Sequence, residues 1–329
     1  MLRAWILAAG LGLALYGSAA RAAEEINFTL NYIAGGDHAP LYYARQQGWF
    51  SDAGLNVTIL QGQGSAATLR HIAAGSSQVG IVDMATVLIG MSKGVDAVGV
   101  MNIYANSPYG IYWLKSSGVA SVADLAGRKI GTPPGDAARN LWVPLARKAQ
   151  IDPRSVSWVN ISAATKLAAL KSGTIDATTT FYTSHYLYLR ELGDNLGYAA
   201  WHEYGINSYS NSVVFNKSYA ASHSDQVRAF VGVVQKAYIA CVQTPDPCID
   251  ALVVANSGLK RDDMMNAWLA TVELMTTKDA SSIAFGTFLP ERMASDYHLV
   301  KEYFGLDREF DVKGSYSNDF LDPKLRLAK

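Results

Sequence analysis

Cysteine is nearly absent from this chain, with 2 in 329 residues, at Cys241 and Cys248. Two thiols at that spacing do not make a zinc site without further ligands, and the disulfide-dense frameworks of small secreted domains are excluded. Histidine is also sparse, with 6 in all; His71, His185, His202, His223 and His298 show no metal-ligand spacing. No nucleophile elbow, phosphate-binding loop or dinucleotide fingerprint appears in a context that would give it chemistry. Neither sign of charge is in excess, at 28 basic and 28 acidic residues. A neutral chain lacks the basic surface that nucleic acid or an anionic membrane demands. Beyond the N-terminus there is no uninterrupted apolar run of about 18 residues, the length a membrane-crossing helix needs.

Aromatic residues are plentiful, with 18 Tyr and 7 Trp. They fill cores, and tyrosine also stacks on and hydrogen-bonds planar ligands. Residues 1–23 read as a secretory signal peptide: Arg3 is the positive start, Ala4 to Tyr16 the apolar stretch, and Ala20-Arg21-Ala22 the cleavage signal. The alternative is a buried N-terminal helix. No cysteine lies near the cleavage signal, so no membrane anchor is expected. Without Arg3 and Arg21 the balance is 26 basic to 28 acidic, a formal charge of −2. The remaining residues suffice for two domains of ordinary size. Export would place Cys241 and Cys248 in an oxidising compartment, where a disulfide is expected; two free thiols are the alternative.

Strand and helix alternate along the chain. Ile26–Tyr32, Leu55–Leu60 and Val79–Val82 read as strands. Helices are expected from Pro40 to about Gly48, over Ala66–Ala74 and over Ala85–Met91. The order then repeats, with strands at Lys129–Gly131, Ser157–Asn160 and Ile175–Thr180, and helices from Asp136 to about Lys148 and over Ala163–Lys171. The offset is nearly constant: Gly36 to Gly135 is 99 residues and Gly75 to Gly173 is 98. Val213–Asn216 reads as a further strand and Asp225–Cys241 as a long helix with one apolar face. Such alternation predicts an α/β fold whose sheets are largely parallel.

Four passages carry a resemblance: DHAPLYYARQQGWFSDAGLNV, LRHIAAGSSQVGIVD, SVADLAGRKIGTPPG and VVFNKSYAASHSDQVRAFV. With them the chain resembles a periplasmic substrate-binding protein of an ABC importer, of the group that binds nitrate, sulfonates, taurine and thiamine-pyrimidine precursors. The phrase Asp37-His38-Ala39-Pro40 is most similar to the pyrimidine-binding branch. The resemblance implies two α/β lobes closing on a ligand in the cleft between them. It also implies a periplasmic monomer without a cofactor, which docks on an ABC permease with its cytoplasmic ATPase. The lobes are expected over residues 24–111, over 112–212, and over 213–329 as a return to the first lobe. Hinges are expected near Pro108–Tyr112 and Tyr209–Val214.

Candidate ligand contacts follow from strand ends and helix starts, where open α/β sheets bind their ligands. Asp37 can accept from an amino group, and His38 can donate to or accept from a ring nitrogen or carbonyl; otherwise Asp37 caps a helix and His38 is solvated. One of Tyr42 and Tyr43 lines the cleft while the other packs in the core. Asn31 or Tyr32 ends the first strand. Asp83 either faces ligand or caps the next helix, with Thr86 nearby. In the second half, Gly135 and Asp136 stand at a helix start that would suit an anion, except for the carboxylate of Asp136. Arg139 is either a clamp for an acid or a surface residue. Phe181 or Tyr182 can stack on a ring, and Tyr209, Ser210 and Asn211 sit near the second hinge. The leading expectation is a binding protein for a small planar, nitrogen-containing compound. A small aromatic carboxylate or sulfonate is the second, and stands or falls with Arg139. A pyrimidine-synthase-like enzyme ranks last: such enzymes resemble this chain around His38 but carry a cysteine-rich motif and work inside cells.

Overall fold

The computed structural model describes residues 23–278 and 280–327. The expected signal peptide therefore lies, but for Ala23, outside the described residues. Ten strands among the described residues form two five-stranded sheets. The first takes β1 (Glu24–Thr29), β2 (Leu55–Leu60), β3 (Val79–Asp83) and β4 (Ala97–Asn102). The second takes β5 (Tyr109–Leu114), β6 (Lys129–Thr132), β7 (Ser157–Asn160), β8 (Ala177–Phe181) and β9 (Leu196–Ala200), and β10 (Asn211–Asn216) returns to the first.

The two sheets have one construction. Their orders are β2-β1-β3-β10-β4 and β7-β6-β8-β5-β9. In each, three neighbouring strands are parallel and the fourth is antiparallel to both its neighbours. Four strands thus run one way, but half of the hydrogen-bonded pairs are antiparallel, so each sheet is mixed. The antiparallel strand is always the one entered after a crossing between sheets: β5 follows the passage from Asn102 to Tyr109, and β10 the passage from Ala200 to Asn211. Each lobe is built on one sheet and its helices.

Local sequence explains the elements. β3 and β4 are buried throughout, as expected of strands covered on both faces. The helix Ser224–Gln243 buries Val227, Phe230, Val231, Val234, Tyr238 and Cys241, an i, i+3, i+4, i+7 stripe. This stripe packs on the first sheet, where Phe230 meets Phe28 edge-on at 5.2 Å. The helix expected over 136–148 is two pieces, Ala137–Asn140 and Trp142–Lys148. Pro144 has no N–H to give the carbonyl of residue 140, which ends the first piece. Cys241 and Cys248 are joined by a disulfide that ties this long helix to the helix Pro245–Ala255, with Cα atoms 5.9 Å apart. No helix among the described residues is long and apolar enough to cross a membrane.

Candidate functional site

A cavity of about 290 Å³ lies between the lobes, at the carboxyl ends of β1 and β8. That volume is at the small end for ligand pockets. Asn31 and Tyr32 reach it from the end of β1, and Asp37 and His38 from the turn that follows. The second lobe contributes Asp136 from the loop after β6, Lys166 and Leu167 from the helix Lys166–Lys171, Thr180 and Phe181 from β8, and Tyr188 from the helix His185–Leu192. Met264 and Ala267, on the helix Arg261–Met275, form the remaining wall.

The turn Gly36–His38 is a single 3-10 turn leading into the helix Ala39–Gln46, with Pro40 near its start. Gly36 is required there by close approach: a Cβ would lie 2.1 Å from the Met264 carbonyl oxygen and 2.8 Å from the Trp268 nitrogen. Two tyrosines fix Asp37. The Tyr104 hydroxyl donates to its Oδ2 at 2.9 Å, and the Tyr238 hydroxyl donates to its backbone carbonyl at 2.9 Å.

His38 is buried and works through its neutral form. The Gly35 N–H donates to its Nδ1 at 3.1 Å, which makes Nε2–H the donor to Asn31 Oδ1 at 3.0 Å. Burial lowers its pKa, opposed by the Asp37 carboxylate, whose Oδ1 lies 3.2 Å from Nδ1. Asn31 in turn donates to Asn211 Oδ1 at 3.1 Å. His38, Asn31 and Asn211 therefore form one rigid polar chain behind Asp37.

The opposite wall holds a buried ion pair. Lys166 Nζ donates to Asp136 Oδ2 at 2.7 Å and to the Thr179 carbonyl at 2.8 Å. Side-chain exposure is only 6% for Lys166 and 9% for Asp136. Asp136 Oδ1 also accepts from the Ala138 N–H at 2.9 Å, capping its helix. The ammonium lies 5.3 Å from the centre of the Tyr32 ring, a cation–π distance. The Tyr32 hydroxyl is buried and makes no hydrogen bond to the described residues; buried polar atoms normally have partners.

Of the expected contacts, Asn31, Tyr32, Asp37, His38, Asp136 and Phe181 line the cavity, and the others do not. Tyr42 is buried in the first lobe's core with Arg45 over its ring. Asp83 caps the helix Met84–Ser92 by accepting from the Thr86 N–H at 3.0 Å, and also accepts from the Tyr109 hydroxyl. Gly135 meets Gly64 of the other lobe backbone to backbone. Arg139 turns to Asn160, at 2.8 Å, and over the Trp158 ring. Tyr182 stacks on His185, and Tyr209 lies against Phe288 and Arg292. Asn211 stands behind Asn31. Lys166, Tyr188 and Asp263, which line the cavity, were not expected. Lys166 sits between apolar Ala164 and Leu167 at helical spacing, where a lysine ordinarily reads as a solvated face.

A model of the family described as NMT1/THI5 like matches residues 36–247. The formylaminopyrimidine-binding protein of Halalkalibacterium halodurans is 24% identical over 234 residues, covering 70% of this chain and 71% of that protein. The 4-amino-5-hydroxymethyl-2-methylpyrimidine phosphate synthase of Legionella pneumophila is 26% identical over 138 residues, covering 42% of this chain and 43% of that protein. Among solved structures, the alkanesulfonate-binding protein SsuA of Xanthomonas axonopodis pv. citri superposes with a TM-score of 0.68 at 17% identity, covering 90% of this chain and 98% of that one. This likeness shows a periplasmic-binding-protein fold.

Proposed function

The chain belongs to the NMT1/THI5-like family, and from that premise we propose that it is the extracytoplasmic solute-binding component of an ABC importer. Its ligand is a small planar, nitrogen-containing compound of the thiamine-pyrimidine type, held between the lobes and delivered to a membrane permease. The observation that carries this reading is the cavity itself, where a fixed acceptor, Asp37, faces a chamber walled by Tyr32, Phe181 and Tyr188. A carboxylate suits an exocyclic amino group, and aromatic walls suit a flat ring. Export and a periplasmic location belong to this proposal, as do the permease partner and the division into lobes at about residues 111 and 212.

A small acid is the weaker ligand. Its main support was Arg139, which is engaged outside the cavity by Asn160 and Trp158. A synthase activity has support only in the names of some relatives, over less than half of each chain for the Legionella enzyme. The site shows binding groups, and we assign it no chemistry on its ligand. A thermal-shift screen of pyrimidines, flavins, aromatic acids and sulfonates tests the reading: aminopyrimidines should raise the melting temperature most. A shift confined to aromatic acids or sulfonates would overturn it, and product formed on incubation with a pyrimidine precursor would overturn the assignment as a carrier.

A further inference from the structure

The second-lobe ion pair does more than close a hydrogen-bond ledger. We infer that Asp136 is the residue that sets ligand charge: it occupies Lys166 so that the cavity rejects anions. The inference rests on the binding-protein reading above and concerns the same cavity.

An ammonium has three protons and no acceptor. Lys166 gives one to Asp136 and one to the Thr179 carbonyl, and its remaining side is turned toward the Tyr32 ring. One proton is left, on the side that faces the Tyr32 ring, and the ammonium's charge is already matched by the Asp136 carboxylate at 2.7 Å. The other charged groups lining the cavity are Asp37, Asp136 and Asp263. Asp263 is held by Arg190 of the opposite lobe, which does not line the cavity. With Lys166 paired to Asp136 and Asp263 paired to Arg190, an entering sulfonate would meet no unpaired lining cation and one carboxylate without a cationic partner, that of Asp37. Between the lobes such charges act with less screening than in bulk water.

Asp136 also caps its helix through an oxygen that an asparagine would keep, so its charge can be removed without removing the cap. Asparagine caps a helix about as well as aspartate. In Asp136→Asn the amide oxygen keeps the Ala138 N–H, and the amide nitrogen, itself a donor, faces Lys166. The ammonium then has a free proton and an uncompensated charge directed at the cavity.

Ethanesulfonate, small enough for a 290 Å³ chamber, is the probe, followed by isothermal titration. The wild-type protein should show no saturable binding, and D136N should bind the probe at least about tenfold more tightly. The double variant D136N/K166M should lose the gain, which separates restored lysine charge from a merely loosened fold. D136S, another capping residue, carries the same test if D136N does not fold. Wild-type binding equal to that of D136N, or a folded D136N and D136S that both ignore ethanesulfonate, would overturn the inference. Titration with 4-amino-5-hydroxymethyl-2-methylpyrimidine alongside keeps the two readings apart. Its failure with the sulfonate pattern intact removes the proposed ligand and leaves the anion filter standing.

Discussion

Asp37 has its carboxylate held by Tyr104, its carbonyl held by Tyr238 and its preceding residue pressed against the helix Arg261–Met275. A group so fixed pays little entropy when a ligand arrives. Hydrogen bonds to a charged partner contribute about 1.5–3 kcal/mol, so Asp37→Asn should weaken aminopyrimidine binding at least about tenfold by titration, with an unchanged far-ultraviolet spectrum. His38 has a separate signature. Burial lowers its pKa below the ordinary 6.5, so near neutral pH it is uncharged in the folded protein. Between its folded pKa and 6.5 the unfolded chain binds the extra proton, and stability must rise with pH there. Its contribution is fully present above about pH 6.5 and is lost as pH falls. Denaturant titrations of wild type and His38→Gln should therefore differ in pH slope below about pH 6.5 and run parallel above it. Parallel slopes throughout would show that folding leaves the His38 pKa unshifted.

At the scale of elements, the crossings between sheets carry the most unusual chemistry. Asp296, on the helix Pro290–Phe304, accepts from the Tyr209 N–H at 2.9 Å beside the second crossing. Burial raises its pKa from 3.8 to about 7, against the pull of Arg292 and the Tyr209 N–H. Here the sign is opposite to that of His38. Between about pH 4 and 7 the folded protein holds a proton that the unfolded chain has released, so stability falls as pH rises. Asp296→Asn should be more stable than wild type at pH 8, by a few kcal/mol at most, and the advantage should vanish near pH 4. The elements at the crossings were also the least legible in the sequence. Asp83 looks equally like a ligand contact and a cap until Thr86 and Tyr109 are seen to engage it. β4, β5 and β9 have no clean alternation: β4 is buried on both faces, and β5 (Tyr-Gly-Ile-Tyr-Trp-Leu) is nearly all apolar. By contrast β2 and the helix Ser224–Gln243 announce themselves by period alone, since each has one face to bury and one to expose.

For the whole molecule, the repeat near residues 36 and 135 is the feature that the sequence made visible and the fold explains. Two sheets of one construction set their carboxyl ends toward one cavity. Of the cavity residues that were legible, Asn31, Tyr32, Asp37, His38 and Asp136 sit beyond β1 and β6, the middle strands of the parallel trios, and Phe181 ends β8. Lys166 was not legible because its meaning depends on Asp136, thirty residues away in sequence and 2.7 Å away in space. Two of the contacts between the lobes lie at Gly64 and at Arg190. Gly64, at φ +108°, would place a Cβ 2.3 Å from the Gly135 carbonyl oxygen, and Arg190 pairs with Asp263. Gly64→Ala should hold the lobes apart, weakening ligand binding several-fold. Small-angle scattering should show a larger radius of gyration for the variant with ligand than for wild type with ligand. Equal radii would mean that the lobes approach without this contact.

The central claim is that this cavity recognises a neutral or cationic aminopyrimidine through Asp37. The most direct test is isothermal titration of 4-amino-5-hydroxymethyl-2-methylpyrimidine into the wild-type protein and Asp37→Asn side by side. Saturable one-site binding at micromolar strength, about −8 kcal/mol, weakened at least about tenfold in the variant, is the expected result. No binding to the wild type at millimolar ligand, or equal affinity in both proteins, would contradict it.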